Sequence, residues 1–335
     1  MKENTKVQVK DFVTLIVVII FVFIVCNIST PYLFYKFGGT HRTILLLDKL
    51  KEPEFKPDLI VFGSSKAMFG IDCYQMSEEL GVDAYSFTST GQPPVESSLY
   101  YPSLPPSVKT VVQIISAPIK KKGTEIEEKQ ELPQSIVTNF AMGGYKFKQE
   151  IKDINPNMDF TPLERNRFQQ NLDARAAIII PGLTDLLLPR DKAAAVDLKF
   201  CNSYLTKRHA MYDRTIEQVI RNGYINSEIE IDTISTNILN GYASFLRRRG
   251  INMVVVIMPS NPDTKEFSAK QIEFIGAKSI EFIPNAKVLN YLATVNDSHL
   301  FFDAEHLNKD GAKVITSLLD RELINNGIVP KVSAN

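Results

Sequence analysis

An uncharged apolar stretch near the N-terminus is the strongest constraint that this sequence places on its fold. No charged residue occurs from Phe12 to Tyr35, and Phe12–Ile28 is almost wholly apolar. A helix needs about 20 predominantly apolar residues to cross a hydrocarbon core that is ~30 Å thick. Extended to Phe34, the stretch meets that length, so residues 12–34 are predicted to form one transmembrane anchor.

The charges that precede the anchor predict its orientation. Lys2, Lys6 and Lys10 outnumber the acidic residues before residue 12. Positive charge is favoured on the cytoplasmic side, so residues 1–11 are predicted to be a cytoplasmic tail and the bulk of the chain to lie outside. A cleaved signal peptide is the alternative, but the apolar run is longer than a usual signal core and no Ala-x-Ala site follows.

Composition argues against several function classes. The 38 basic residues equal the 38 acidic ones, so no basic excess exists to neutralise nucleic-acid phosphates. Three Cys are too few for a disulfide-built scaffold or a Cys-rich zinc site. The sequence also has no cluster of metal ligands and no glycine-rich phosphate loop with its lysine. We therefore expect no metal, no cofactor and no nucleic-acid partner.

Short apolar runs alternate with helical stretches from Pro57 onward. Runs of this kind, bounded by turns, are typical of strands that are buried on both faces of a sheet. The predicted strands are Leu59–Phe62, Ala84–Phe87, Thr110–Ile115, Met253–Met258 and Leu300–Phe302, and the predicted helices are Tyr74–Leu80, Ile231–Arg249 and Asp310–Asn325. This alternation predicts an α/β fold with a parallel sheet.

The remaining segments complete the predicted organisation. Residues 35–56 are predicted to be a juxtamembrane linker with a short helix near Thr43–Leu50. The polar stretch 118–230 lacks clear alternation and is predicted to be a mainly helical insertion between two core strands, with a short strand at Ile178–Ile180. Residues 327–335 are predicted to be a frayed tail.

A serine follows the first predicted strand directly. The residues Gly63-Ser64-Ser65-Lys66 come immediately after the run that ends at Phe62. Sites in open α/β sheets form at the carboxyl ends of strands, and the N–H groups of a helix that starts there favour negative charge. Ser65 is therefore a candidate nucleophile. A plain turn with a helix cap is the alternative interpretation.

Two further loops carry candidate groups. Asp303 and His306 lie three residues apart before the last helix, so the carboxylate can accept a hydrogen bond from imidazole Nδ1 and leave Nε2 free as a base. The alternative is a surface loop in which Asn308 or Asp310 caps that helix. After the second strand, Gly91 offers a backbone N–H without Cβ interference, or is a simple turn glycine.

The chain order of these features resembles that of the SGNH (GDSL-like) hydrolase family over about residues 57–326. Ser65 matches the nucleophile of that family, Gly91 the oxyanion glycine of its second block, and Asp303 and His306 the pair of its last block. The resemblance implies a three-layer, flavodoxin-like sheet and a Ser–His–Asp triad. The segment VFGSSKAMFGID looks like the GSS-type membrane-anchored branch, which includes proteins of teichoic-acid D-alanylation and exopolysaccharide O-acetylation.

One block departs from the family pattern. The third family block supplies an oxyanion Asn in a Gly-x-Asn-Asp sequence, whereas this chain has Ser116-Ala117-Pro118 after its third strand. Gln92, Ser116 and Asn261 are the candidates for the missing donor.

The resemblance implies a membrane-anchored, extracytoplasmic serine esterase or O-acyltransferase. Its expected substrates are acyl esters, foremost acetyl esters, of a bacterial envelope polysaccharide or other acylated glycan. Its expected partner is a polytopic membrane-bound O-acyltransferase. A non-catalytic glycan-binding or scaffold protein with the same fold is the alternative, and the missing Asn motivates it.

A few other residues have two interpretations. His209 and Lys120–Lys122 are either solvated or contact an anionic polymer. His299 is expected to be structural, and His41 to be solvated. Cys73 and Cys201 are a candidate disulfide pair, although spacing alone does not set their distance.

Overall fold

The computed structural model describes residues 2–37, 41–124 and 208–330, together with short pieces at 130–131, 136–137, 140, 149–154, 158–159, 161 and 197–200. Two compact units make up the chain. One consists of Met1–Leu45, Leu132–Phe147 and Phe160–Asp191, and the other of Leu46–Glu131, Lys148–Asp159 and Lys192–Asn335. The predicted strand at 178–180 and Cys201 lie outside the described residues, so that strand and the disulfide stay predictions.

The described residues include ten α-helices and nine strands, numbered in chain order. The helices are α1 Lys2–Phe37, α2 His41–Lys49, α3 Ser65–Gly70, α4 Cys73–Leu80, α5 Pro94–Tyr100, α6 Gln149–Ile154, α7 Tyr212–Asn222, α8 Thr233–Arg248, α9 Ala269–Phe282 and α10 Lys309–Asn325. The strands are β1 Leu59–Gly63, β2 Ala84–Thr88, β3 Thr110–Ile115, β4 Ile119–Lys121, β5 Gln130–Glu131, β6 Met158–Asp159, β7 Ile229–Ile231, β8 Asn252–Ile257 and β9 Lys287–Asn290.

Helix α1 carries the apolar stretch of the first unit. Its segment Asp11–Thr30 is long and apolar enough to cross a membrane, a criterion that a signal sequence also meets. Large apolar side chains such as Phe12, Val17 and Phe21 are exposed along it. A helix that is apolar on every side needs an apolar surrounding, which agrees with the predicted span.

The second unit is built on a parallel sheet of five strands in the order β2-β1-β3-β8-β9. Helices cover both faces. On one face α4 and α10 pack on residues such as Val61, Val112 and Val254. On the other, Phe62 contacts Tyr101, which in turn contacts Tyr242 of α8. Alternate strand residues point to opposite faces, so each central strand is buried on both, as its apolar run predicts.

The structure confirms the predicted parallel α/β sheet but corrects one strand. The strand predicted at Leu300–Phe302 is wrong: Ser298–Leu300 is a 3-10 turn, and Phe301 forms an isolated bridge with Leu307. The fifth strand is instead β9 at the sheet edge. Its pattern of one exposed, two buried and one half-buried residue lacks the continuous apolar run that marks a central strand.

The predicted helices agree with α4, α8 and α10 to within two residues. Their starts follow from side-chain caps, because orphan N–H groups at a helix start need acceptors. The carboxylates of Asp72 and Asp232 cap α4 and α8, and the amide oxygen of Asn308 caps α10. Helices α5 and α9 were not among the predictions.

The predicted insertion leaves the sheet and returns to it at neighbouring strands. Strand β3 pairs directly with β8, although 136 residues separate Ile115 from Asn252 in the numbering. Antiparallel pairing of β4 with β7 joins the two ends of the insertion. Its predicted helical content stays a prediction, because most of 118–230 lies outside the described residues.

Candidate active site

The turn after β1 places Ser65 at the carboxyl end of a central strand. Gly63 ends that strand with φ +150°, and a Cβ there would lie 2.8 Å from the Cβ of Ala67 and 2.9 Å from the Cβ of Ile114. Glycine is thus the residue that this turn accepts. Ser64 follows in extended conformation as the N-cap of α3, and Ser65 is the first residue of that helix.

Ser65, His306 and Asp303 form a continuous hydrogen-bonded chain. The Oγ of Ser65 lies 2.8 Å from Nε2 of His306, across 241 residues of sequence. The Nδ1 of His306 lies 2.9 Å and 3.0 Å from the two carboxylate oxygens of Asp303. When Nδ1–H donates to the carboxylate, Nε2 is left to accept the hydroxyl proton of Ser65. This is the geometry of a nucleophile with its general base.

Backbone groups hold the Asp303 carboxylate in an ionised form. The N–H groups of Glu305 and His306 each donate to Asp303 Oδ1 at 2.8 Å. Burial acts to raise the pKa of Asp303, but the hydrogen bonds from the His306 ring and from these two N–H groups outweigh it and leave the pKa below the ordinary value. The carboxylate is therefore charged at neutral pH and can stabilise an imidazolium.

The loop that carries His306 is anchored to the start of α10. Asn308 Oδ1 accepts from the N–H groups of Asp310 and Gly311, and Asn308 Nδ2 donates to the carbonyl of His299 at 2.6 Å. Gly311 packs against the Leu300 carbonyl so closely that a Cβ would collide with it. The capped surface loop that was the alternative is thus present together with the Asp303–His306 pair.

Asn261 supports the loop that carries Asp303 and His306, and its amide is not free to donate to an oxyanion. Its side chain is buried, with 1% exposed. Its Nδ2 donates to the carbonyl oxygen of Asp303 at 3.0 Å and to the Tyr212 hydroxyl at 2.7 Å. Both amide hydrogens are therefore in use. This corrects the expectation that Asn261 supplies the missing donor and makes it a positioning residue for Asp303.

The Gln92 amide is also engaged within its own loop. It is buried, and its Nε2 donates to the Phe87 carbonyl at 3.1 Å and to Ser97 Oγ at 2.9 Å. The structure therefore does not support Gln92 as an oxyanion donor. Ser116 is exposed just past the end of β3, and within the described ranges no hydrogen bond joins it to the triad.

Backbone groups offer the remaining donors. Gly91 is exposed with φ +72°, and a Cβ built on it would meet nothing within 4 Å. Within the part of the chain that the structure describes, neither the N–H of Ser65 nor that of Gly91 has an acceptor. These two groups are therefore available for a ligand oxygen, as the resemblance implies.

Two side chains flank the triad. Phe69 of α3 packs edge-on against the His306 ring at 5.7 Å between centroids, which restricts how the imidazole can turn. Lys66 Nζ lies 3.7 Å from Glu305 Oε1. Glu305 is largely exposed, so this ion pair adds little stability.

Helix α7 contributes residues that the sequence did not reveal. Tyr212 donates its hydroxyl hydrogen to Asp263 Oδ2 at 3.1 Å while it accepts from Asn261. Thr215 Oγ1 accepts from the N–H of Ala304 at 3.3 Å. Both therefore support the loop that carries Asp303 and His306, Thr215 directly and Tyr212 through Asn261, from within the predicted insertion. No local motif marks them, because their role depends on packing between distant segments.

The other singled-out residues lie as follows. The N–H of His209 donates to the Phe302 carbonyl at 2.8 Å, and its ring packs on Phe302, so His209 lies next to the loop that begins at Asp303. Lys120 and Lys122 pair with glutamates of the β7 segment at 3.1 and 2.8 Å. His299 is exposed and contacts no triad side chain among the described residues, and Cys73 is buried.

Comparison with known proteins adds no assignment. No family model matches the chain, and no curated protein matches it significantly. The case for a function therefore depends on the geometry above.

Proposed function

We propose that this protein is a membrane-anchored, extracytoplasmic serine esterase or O-acyltransferase of SGNH type. Its substrates are acyl esters, foremost acetyl esters, of a bacterial envelope polysaccharide. The observation that carries the proposal is the 2.8 Å contact between Ser65 Oγ and His306 Nε2, with His306 Nδ1 bonded to Asp303.

The reaction follows from the positions of these atoms. Ser65 Oγ attacks the ester carbonyl while His306 Nε2 takes its proton, and Asp303 stabilises the resulting imidazolium. The N–H groups of Ser65 and Gly91 hold the oxyanion. The carbon–oxygen bond to the leaving alcohol then breaks, and His306 returns the proton to that alcohol. An acyl group remains on Ser65.

The second half of the reaction regenerates the serine. Water or a sugar hydroxyl gives its proton to His306 and attacks the acyl carbonyl, and Ser65 leaves with that proton. Water gives hydrolysis, and a sugar gives O-acyl transfer. The apolar helix α1 supports an envelope substrate, because a tether raises the local concentration at the membrane surface. A polytopic acyltransferase that delivers the acyl group is the partner that this placement favours.

The test is ester turnover by the full-length protein in detergent micelles. We expect wild-type protein to hydrolyse p-nitrophenyl acetate and to react with a fluorophosphonate probe at Ser65, with the mass shift located by peptide mapping. Ser65→Ala and His306→Ala should lose both signals. Ser64→Ala is the matched control, because the neighbouring Ser64 makes no side-chain cap bond, and it should keep them.

A non-catalytic glycan-binding or scaffold protein is the second candidate. The observation that favours it is the engagement of the Gln92 and Asn261 amides in structural bonds, which leaves only backbone oxyanion donors identified. Wild-type turnover equal to that of Ser65→Ala, with no labelling of Ser65, would select this candidate and reject the esterase.

A further inference from the structure

A polar cleft lies beside the catalytic loop, within the second unit. Its volume is about 280 Å³. Its lining residues come from α7, from Asp303, Ala304 and Glu305 of the loop that carries the triad, and from Glu266. We call this space the α7 cleft. Asp303 lines the cleft, so the cleft borders the triad at its carboxylate.

Helix α7 presents a regular stripe to this cleft. Thr215, Gln218, Val219 and Asn222 line it, at the i, i+3, i+4 and i+7 spacing that puts side chains on one helix face. Gln218 and Asn222 are exposed, and their amides have no hydrogen-bond partner among the described residues. Each amide offers two donors and an acceptor.

Apolar and polar residues both line the cleft. Val219 packs against Ala304 in the small cluster that joins α7 to the catalytic loop. A sugar ring presents apolar C–H faces and a rim of hydroxyls that both donate and accept hydrogen bonds. A concave site that combines apolar side chains with the amides of Gln218 and Asn222 suits such a ligand.

The charges of the cleft restrict which sugar it takes. Its charged lining residues are Asp303, Glu305 and Glu266, all acidic. A uronate or phosphate group would be repelled by these carboxylates. We propose that the α7 cleft binds a saccharide unit without negative charge and holds the acylated glycan, or its accepting hydroxyl, beside Ser65. This inference rests on the proposed function and names the substrate class of the same site.

The experiment compares a small ester with a glycan ester on the full-length protein. The probes are p-nitrophenyl acetate and acetylated xylo-oligosaccharides, which are uncharged. Asn222→Trp fills the cleft, and Glu217→Trp adds the same bulk on an exposed residue of α7 that does not line it. We expect Asn222→Trp to lower the ratio of kcat/KM for the oligosaccharide to that for p-nitrophenyl acetate by about tenfold or more. Glu217→Trp should leave that ratio as in the wild type.

An unchanged ratio in Asn222→Trp, or an equal fall in Glu217→Trp, would overturn the inference. Acetylated polygalacturonate is anionic, and its turnover by the wild type at the same kcat/KM as the acetylated xylo-oligosaccharides would also overturn the inference. If no ester is turned over and Ser65 is not labelled, the proposed function fails instead. The cleft is then tested by calorimetric binding of xylohexaose to wild-type protein and to Asn222→Trp: weaker binding by the variant supports a sugar site, and equal or absent binding rejects it.

Discussion

Replacement of Asp320 by Asn should stabilise the protein at neutral and alkaline pH. Asp320 lies in α10 with 1% of its surface exposed. Its neighbours on α4 include the carboxylate of Glu79, which accepts a hydrogen bond only from the protonated form of Asp320. Burial, then the negative charge of Glu79 and the hydrogen bond to its side chain, and then the negative charge of Asp72 raise the pKa of Asp320 from 3.8 to about 8. Burial and two nearby negative charges disfavour an ionised carboxylate in this place, so the folded protein keeps the proton.

The size and sign of the effect follow from proton linkage. Between pH 3.8 and about 8 the folded state holds the Asp320 proton while the unfolded state has lost it. The unfolded state therefore binds fewer protons, and the free energy of unfolding falls as pH rises through this window. At ~1.36 kcal/mol for each pH unit, the whole window corresponds to about 6 kcal/mol. This contribution is fully present below pH 3.8 and is lost as pH passes 8.

Urea unfolding of wild type and Asp320→Asn in detergent, followed by far-UV circular dichroism, measures this difference. The chain has no Trp, so indole fluorescence offers no signal. We expect the variant to gain several kcal/mol over the wild type at pH 8 and to lose most of that gain by pH 4. Glu78→Gln, at an exposed carboxylate of α4, should change little at either pH. A difference between Asp320→Asn and wild type that is independent of pH would refute the linkage.

Three further changes test the site. Gly63→Ala should destabilise the protein by about 2–4 kcal/mol and abolish esterase activity, because its Cβ collides with Ala67 and Ile114. A free energy of unfolding equal to that of the wild type would contradict this. Asp303→Asn should lower kcat for p-nitrophenyl acetate by about 10³–10⁴ while fluorophosphonate labelling only slows, and unaltered kcat would exclude its role. Asn261→Ala should lower kcat by about tenfold at similar KM, since the Asp303 carbonyl loses its partner; a change in KM alone would argue against positioning.

The central sheet was predictable because burial on both faces leaves a continuous apolar run. Leu59–Phe62 and Thr110–Ile115 are such runs, and both are inner strands in the structure. The edge strand β9 carries only two buried residues, so it has no such signal. Leu300–Phe302 imitates a strand because Phe301 fills the core beside α10. Over only three residues, one buried side chain in a turn and a short buried strand give the same apolar sequence pattern.

In the candidate site, too, features that depend on nearby residues could be predicted from the sequence, and features that depend on distant packing could not. The spacing of Asp303 and His306 is local, so the hydrogen bond between them could be predicted from sequence. The approach of Ser65 to His306 spans 241 residues and was expected only from the resemblance in chain order. The bracing of the loop by Tyr212 and Thr215 depends on how α7 packs, and neither pattern nor spacing contains that information.

Burial explains why Gln92 and Asn261, whose amides could donate to an oxyanion, are not free to do so. Gln92 and Asn261 are 3% and 1% exposed, and a buried amide hydrogen without an acceptor is costly. The amide group of each residue accordingly donates its hydrogen bonds to nearby oxygens and stabilises the local structure. A donor that serves a transient oxyanion must instead face open space while the site is empty. Within the described residues the N–H groups of Gly91 and Ser65 have no acceptor, so under the proposed function these backbone groups would carry the role that the resembled family gives in part to a side chain.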